Sequence, residues 1–383
     1  PESKAANSWS AALGEHAVEA SGVRDQWYHW GAIYLAVAIR WVSGLPTLHA
    51  MIDVGNVLLT IILSVLAGVI AGQICPRRSV PVQLLIGLGS LVAVQWLRTT
   101  ATMGWLLQTS PEGFVAHMRY PMIMAFSYKY EGVLALAAMA AWLAGKRPIA
   151  AAMLFFAALS APHIVASVGV AAGPLMVLGV VLRKKAMWQT GGAIVALLIG
   201  AWAMTALLGA SFPKGEGQAI VAFDLAKAGK GLATDLLLTV VLGLLMLPGH
   251  LHLIRSDDDE LRPEIRLLGW LALLSGFGAS VGLQFLRSNP DCFHVMTLAQ
   301  ALIVMPVGLW GLVRMAITGG QRARLIGGAL SAITVVTGLQ TVLNPFAPDP
   351  DSIWTKGELA TLQTALHGRP FGYMTGKDRG WWI

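Results

Sequence analysis

The feature that most limits what this chain can fold into is a succession of apolar runs, each 15 to 22 residues long, separated by short charged or Pro/Gly-rich breaks. A bilayer core of roughly 30 Å is crossed by about 20 predominantly apolar helical residues, because in lipid the backbone must satisfy its own polar groups. Runs of this kind fall at 52–73, 80–97, 131–145, 148–162, 164–182, 189–209, 232–248, 267–285, 294–313 and 325–343. The expected fold class is therefore all-α, a polytopic transmembrane helical bundle of about ten spans. The 131–145 and 148–162 runs are short, so one of them is re-entrant or extends into its flanking loop. Composition agrees: 56% of the 383 residues are hydrophobic and only 12% are charged, outside the balance of a soluble domain.

The net charge of +7 raises the question of nucleic acid. The positive residues sit in small groups beside apolar runs rather than along one basic stripe with aromatic interleaving, which excludes that partner class. They read as topology determinants, since cytoplasmic loops collect Lys and Arg close to span ends. Arg77-Arg78, Lys146-Arg147, Arg183-Lys184-Lys185, Arg255 with Arg262 and Arg266, and Arg314 with Arg322 and Arg324 fall in alternate loops, on one side. Residues 1–51, 98–130, 210–231, 286–293 and everything from 344 onward, with the Pro162-His163 turn, then face the other side.

Three regions follow: an outer-face segment 1–51, a membrane bundle 52–343 and an outer-face tail 344–383 that reads as the start of a soluble domain. The expected location is a bacterial inner (plasma) membrane. An outer N-terminal segment has to be carried across, and a further span ahead of Pro1 would do so. Within 24–44, Trp27, Ile33, Tyr34, Val37, Ala38 and Trp41 recur near helical spacing beside Arg24, His29 and Arg40, the pattern of an interfacial amphipathic helix. Two cysteines, Cys75 and Cys292, make neither a disulfide framework nor a metal site by themselves.

Four constellations on the outer side could carry chemistry. Arg24-Asp25-Gln26-Trp27-Tyr28-His29 sets an acid at the opening of the amphipathic helix, with His29 one turn further on. Asp25 is suited to act as general base or to hold a divalent ion; it equally suits a helix N-terminus, with His29 solvated. In the loop 98–130, Arg98, Glu112, His117, Arg119, Lys129 and Tyr130 run into Glu131 at the head of a span. Arg119 and Lys129 match a lipid phosphate, Arg as a planar fork and Lys as a compact charge; the alternative is snorkelling, with the stems along apolar surface. Ser160-Ala161-Pro162-His163 places a His at a tight outer turn, either a ligand or proton carrier or a satisfied structural His. Arg287-Ser288-Asn289-Pro290-Asp291-Cys292-Phe293-His294 offers Arg287 to a phosphate and puts Asp291 and His294 three apart, or else is a capped loop.

Other features are weaker. His49, His163, His250 and His294 lie near span ends, but no spacing forces two of them to face one another across a haem. His250-Leu251-His252 and the acidic run 256–260 read as a solvated cytoplasmic loop. Glycines within the spans, such as Gly169 and Gly173, read as close-packing positions.

The arrangement resembles the GT-C superfamily of polytopic glycosyltransferases, which use lipid-phosphate-linked sugars at the outer membrane face. Those enzymes carry an acid in the first outer loop just before an amphipathic helix, and Asp25 matches that position. Similar proteins have a His after a small apolar run in mid-bundle, as Ser160-Ala161-Pro162-His163 does, and an Arg before a late span, as Arg287 does. They also continue into an outer segment after the last span, as residues 357–374 do. The chain departs from the layout in two places: no span precedes Asp25, and Gln26 stands where a second acid is usual.

The resemblance implies sugar transfer from a polyprenyl-phosphate donor in the membrane, with Asp25 and His29 catalytic. It implies a substrate site drawn from Arg119, Lys129, His163, Arg287, Asp291 and His294, and a divalent cation, Mg2+ or Mn2+, on Asp25. Two other classes fit the same composition. A transporter or flippase would place ionisable groups near mid-span, where these runs are largely free of charge. A non-catalytic membrane subunit holding protein partners would use the same small residues for helix packing.

Overall fold

The computed structural model describes residues 30–45, 50–75, 78–94, 126–160, 162–207, 245–255, 261–285 and 303–343. Among these the chain is helical apart from short joints, and no strand occurs. The elements are α1 (Trp30–Ser43), a π turn (Ala50–Gly55), α2 (Asn56–Ile74), α3 (Val80–Val94), α4 (Phe126–Leu143), α5 (Arg147–Ser160), α6 (Pro162–Val181) and α7 (Lys185–Leu207). After them come α8 (residues 245–255), α9 (Pro263–Phe285), α10 (Met305–Thr318) and α11 (Gln321–Leu343). Each apolar run is helical where it falls on described residues, apart from the turn residues 144–145 and 182 at two run ends.

Among the described residues, three helices are long and apolar enough to cross a membrane: Asn56–Ile74, Lys185–Met204 and Gln321–Leu339. Only 39%, 22% and 17% of these windows are buried against protein, so most of their apolar surface faces outward. Val57, Ile61, Val65 and Val69 form an exposed stripe along α2, and Leu325, Ile326, Ile333 and Val336 do the same on α11. Stripes of this size are costly against water and favourable against acyl chains. Membrane association follows from those faces. The count of ten spans goes beyond them, because α1, α3, α5, α6 and α10 contribute only shorter apolar stretches.

Inside the bundle, α2 packs on α3 and α4, α5 bridges α4 and α7, α6 lies against α7 and α9, and α10 packs on α11 and α3. The main core joins Leu63, Ile70 and Ile74 of α2 to Leu136 and Leu143 of α4, Leu268 of α9 and Trp310 of α10. At two crossings glycine lies against glycine. A Cβ on Gly87 would strike the backbone of Gly68, and one on Gly249 of α8 would strike the backbone of Gly308 on α10. With no side chain between them the backbones approach closely, as small residues permit in lipid. Gly169 and Gly173 do not serve this purpose: a Cβ on Gly173 meets open space, and one on Gly169 makes only ordinary contact with Leu198.

The described members of the five basic groups sit at joints that share one end of the bundle. There the Arg314 guanidinium donates to the Ile74 carbonyl and Arg262 to the Leu143 carbonyl, while Arg147 pairs with Glu264 at 3.7 Å. The last carbonyls of a helix have no partner within it and carry the negative end of its dipole, so an arginine donor satisfies both needs. At the opposite end lie the start of α1, the π turn, the heads of α2, α4 and α6 and the tail of α5.

Candidate functional site

At that opposite end the first turns of α4 carry Lys129, Tyr130 and Glu131 into the bundle. Successive helical residues point about 100° apart, so the three reach different neighbours. Lys129 is only 7% exposed, and its Nζ donates to the Asn56 carbonyl at the head of α2 across 3.5 Å. Asn56 Oδ1 is also buried and has no hydrogen-bond partner. Glu131 is 1% exposed. An ammonium and a carboxylate within one turn, both removed from bulk solvent, are costly unless their surroundings are polar. Such polarity at the head of otherwise apolar helices marks function more often than packing.

Tyr130 turns the other way, toward α5, and its hydroxyl shares a hydrogen bond with Ser160. Ser160 Oγ donates back to the Phe156 carbonyl at 2.8 Å, which fixes the rotamer. Against this pair lies the first turn of α1: a Cβ on Gly31 would meet the Tyr130 ring and Ser160 Cβ. Ala32 and Ala36 of α1 continue the seam onto Leu59 and, beside them, Leu35, Ile39, Tyr130 and Val133. The opposite face of α1 exposes Tyr34, Trp41 and Val42. α1 therefore lies with Ala32 and Ala36 on the bundle and Tyr34 and Trp41 outward.

Described parts of two of the four constellations thus meet at this end, the Lys129 turn and the α5–α6 junction, beside the start of α1, the helix that follows Asp25 and His29 in sequence. Asp25, His29, Arg119, Arg287, Asp291 and His294 lie outside the described residues. Asp25 is five residues before Trp30, where α1 begins, and Arg119 is seven before Phe126, where α4 begins. His163 falls in the first turn of α6 rather than in a free turn; Pro162 opens that helix, a position where the missing amide hydrogen costs nothing. Lys129 belongs to α4 rather than to an outer loop, since the helix begins at Phe126, ahead of the first expected span residue, Glu131.

The sequence reading passed over Asn56 and the π turn that contains Asp53. Two polar residues three apart at the head of an apolar run were a usable signal. His250, read as part of a solvated loop, is fully buried in α8 and its Nε2 lies 2.8 Å from the Val304 carbonyl. That contact occupies one ring nitrogen and argues for a structural histidine rather than a haem ligand. Among the described residues no three His, Cys, Asp or Glu side chains assemble into a metal-binding group. No protein-family model, curated protein or solved structure matches the chain.

Proposed function

We propose that the chain is an integral membrane glycosyltransferase that moves a sugar from a polyprenyl-phosphate carrier to an acceptor hydroxyl at the non-cytoplasmic face. The observation that carries this reading is the convergence, opposite the basic end, of the α1 start, the buried Lys129 turn and the α5–α6 junction. A bacterial inner-membrane bundle of about ten spans, with both terminal segments outside, is part of the same proposal.

In this reading the Asp25 carboxylate takes the proton of the acceptor hydroxyl, whose oxygen then bonds to the anomeric carbon. The bond from that carbon to the phosphate oxygen breaks, and polyprenyl phosphate leaves with its electron pair. Arg119 and Arg287 hold the phosphate as planar forks, and Lys129 supplies a desolvated positive charge at the floor of the site. His29, His163, Asp291 and His294 line the acceptor side. The described residues offer no ligand set for Mg2+ or Mn2+, so a cation is attached to Asp25 alone and no step is routed through it.

The test is calorimetric titration of the purified protein in detergent with a polyprenyl phosphate. Wild type binds, Arg119→Ala and Arg287→Ala each weaken binding at least tenfold, and Asp25→Asn binds normally but transfers no sugar. A folded wild-type protein that binds no polyprenyl phosphate overturns the proposal and leaves the non-catalytic subunit as the better reading.

A further inference from the structure

The contact between α1 and the bundle is narrow and specific. Gly31 faces the Tyr130 ring edge and Ser160 Cβ with no space for a methyl group, and the two receiving side chains are hydrogen bonded to each other. Ser160 is 1% exposed and is tied to its own helix through the Phe156 carbonyl. The next helical turn adds Ala36, 1% exposed, so the seam is made of small residues and admits one register only. A slide of α1 by one residue would bring Ala32 to the place of Gly31 and push its Cβ into Tyr130. Further along α1, Trp41 and Val42 are exposed, while Leu35 and Ile39 pack beside the seam and the helix also contacts the π turn.

We infer that Gly31, Tyr130 and Ser160 form a seat that docks α1 on the bundle in a single register and thereby fixes the start of that helix beside the Lys129 turn. Tyr130 is on this view a positioning residue, which acts through α1 and does not touch the substrate. Its catalytic consequence rests on the transferase reading; the docking itself does not.

The experiment uses the full chain with Cys292→Ser and Ala36→Cys, so that the rate of maleimide modification at position 36 reports release of α1. Gly31→Val is expected to raise that rate at least tenfold, and Tyr130→Phe severalfold. Gly31→Ala, whose smaller side chain meets the same Tyr130 and Ser160 atoms, is expected to raise the rate less than Gly31→Val does. In parallel, Tyr130→Phe is expected to lower kcat for sugar transfer severalfold while KM for the lipid donor stays within twofold. A position-36 thiol that reacts as fast in the parent as in Gly31→Val overturns the seat. Release of α1 with kcat unchanged overturns the catalytic part of the inference. If the parent neither binds polyprenyl phosphate nor transfers sugar, the transferase reading fails, and the labelling rates alone then uphold or overturn the seat.

Discussion

Two arginines illustrate how a charge read as a topology signal acquires a second task. Arg314 is 2% exposed and caps the Ile74 carbonyl of α2 from α10, whereas Arg262 is exposed and caps Leu143. Hydrogen bonds from charged donors contribute about 1.5–3 kcal/mol when buried and less when water competes. Arg314→Ala should therefore lower the thermal unfolding midpoint in detergent by several degrees, and Arg262→Ala by a clearly smaller amount. Equal shifts would mean that burial does not set the strength of these caps. Just past α2, Cys75 is buried with its Sγ 3.8 Å from the Trp310 carbonyl. Burial pushes its thiol up from an ordinary value of 9.0 to about 12, against smaller opposing effects of Arg314 and Arg78. A group whose pKa is raised by folding contributes its full stability below pH 9 and loses it as pH climbs toward 12. At pH 8 Cys75 should resist alkylation in the folded protein and react on denaturation; rapid labelling of the native protein would contradict its burial. None of these pairings was legible in the sequence, because a carbonyl 240 residues away leaves no trace beside the arginine that binds it.

Helix positions were the most legible feature, since an apolar run long enough to span lipid is read without knowledge of its neighbours. Where the boundaries moved, a polar or turn-forming residue had been accommodated within the bundle. The expected run ends at Pro248, yet α8 continues past it to residue 255, and Gly249 serves close approach to α10. Likewise Lys129 looks like loop, but α4 takes it in, and its Nζ donates to the Asn56 carbonyl. Which glycines matter was also hidden from the sequence. Gly311→Val drives a branched side chain into the Gly249 backbone and should prevent recovery of folded protein. Gly173→Ala enters open space and should be neutral or raise stability by up to about 1 kcal/mol through helix propensity. A thermal shift series covering both positions checks the contrast, and equal damage at the two would refute it.

For the molecule as a whole, the pattern of charge along the chain anticipated a polarity that the packing realises. Alternate basic loops come together because antiparallel neighbours bring every second joint to the same end, and the Arg314, Arg262 and Arg147 contacts tie that end together. The site end was legible only as separate segments; that α1, α4 and α5 meet there depends on which helices pack side by side, which periodicity does not encode. If the outward apolar stripes of α2, α7 and α11 lie in a bilayer, the two ends are held on opposite sides of it. The most direct measurement is sided cysteine labelling with a membrane-impermeant maleimide in right-side-out vesicles. Leu45→Cys at the site end and Lys184→Cys at the basic end are each placed in a Cys292→Ser background. Leu45→Cys should be modified from outside at once, and Lys184→Cys only after the membrane is permeabilised. Labelling of both from the same side would contradict a bundle that separates its basic end from its site across a membrane.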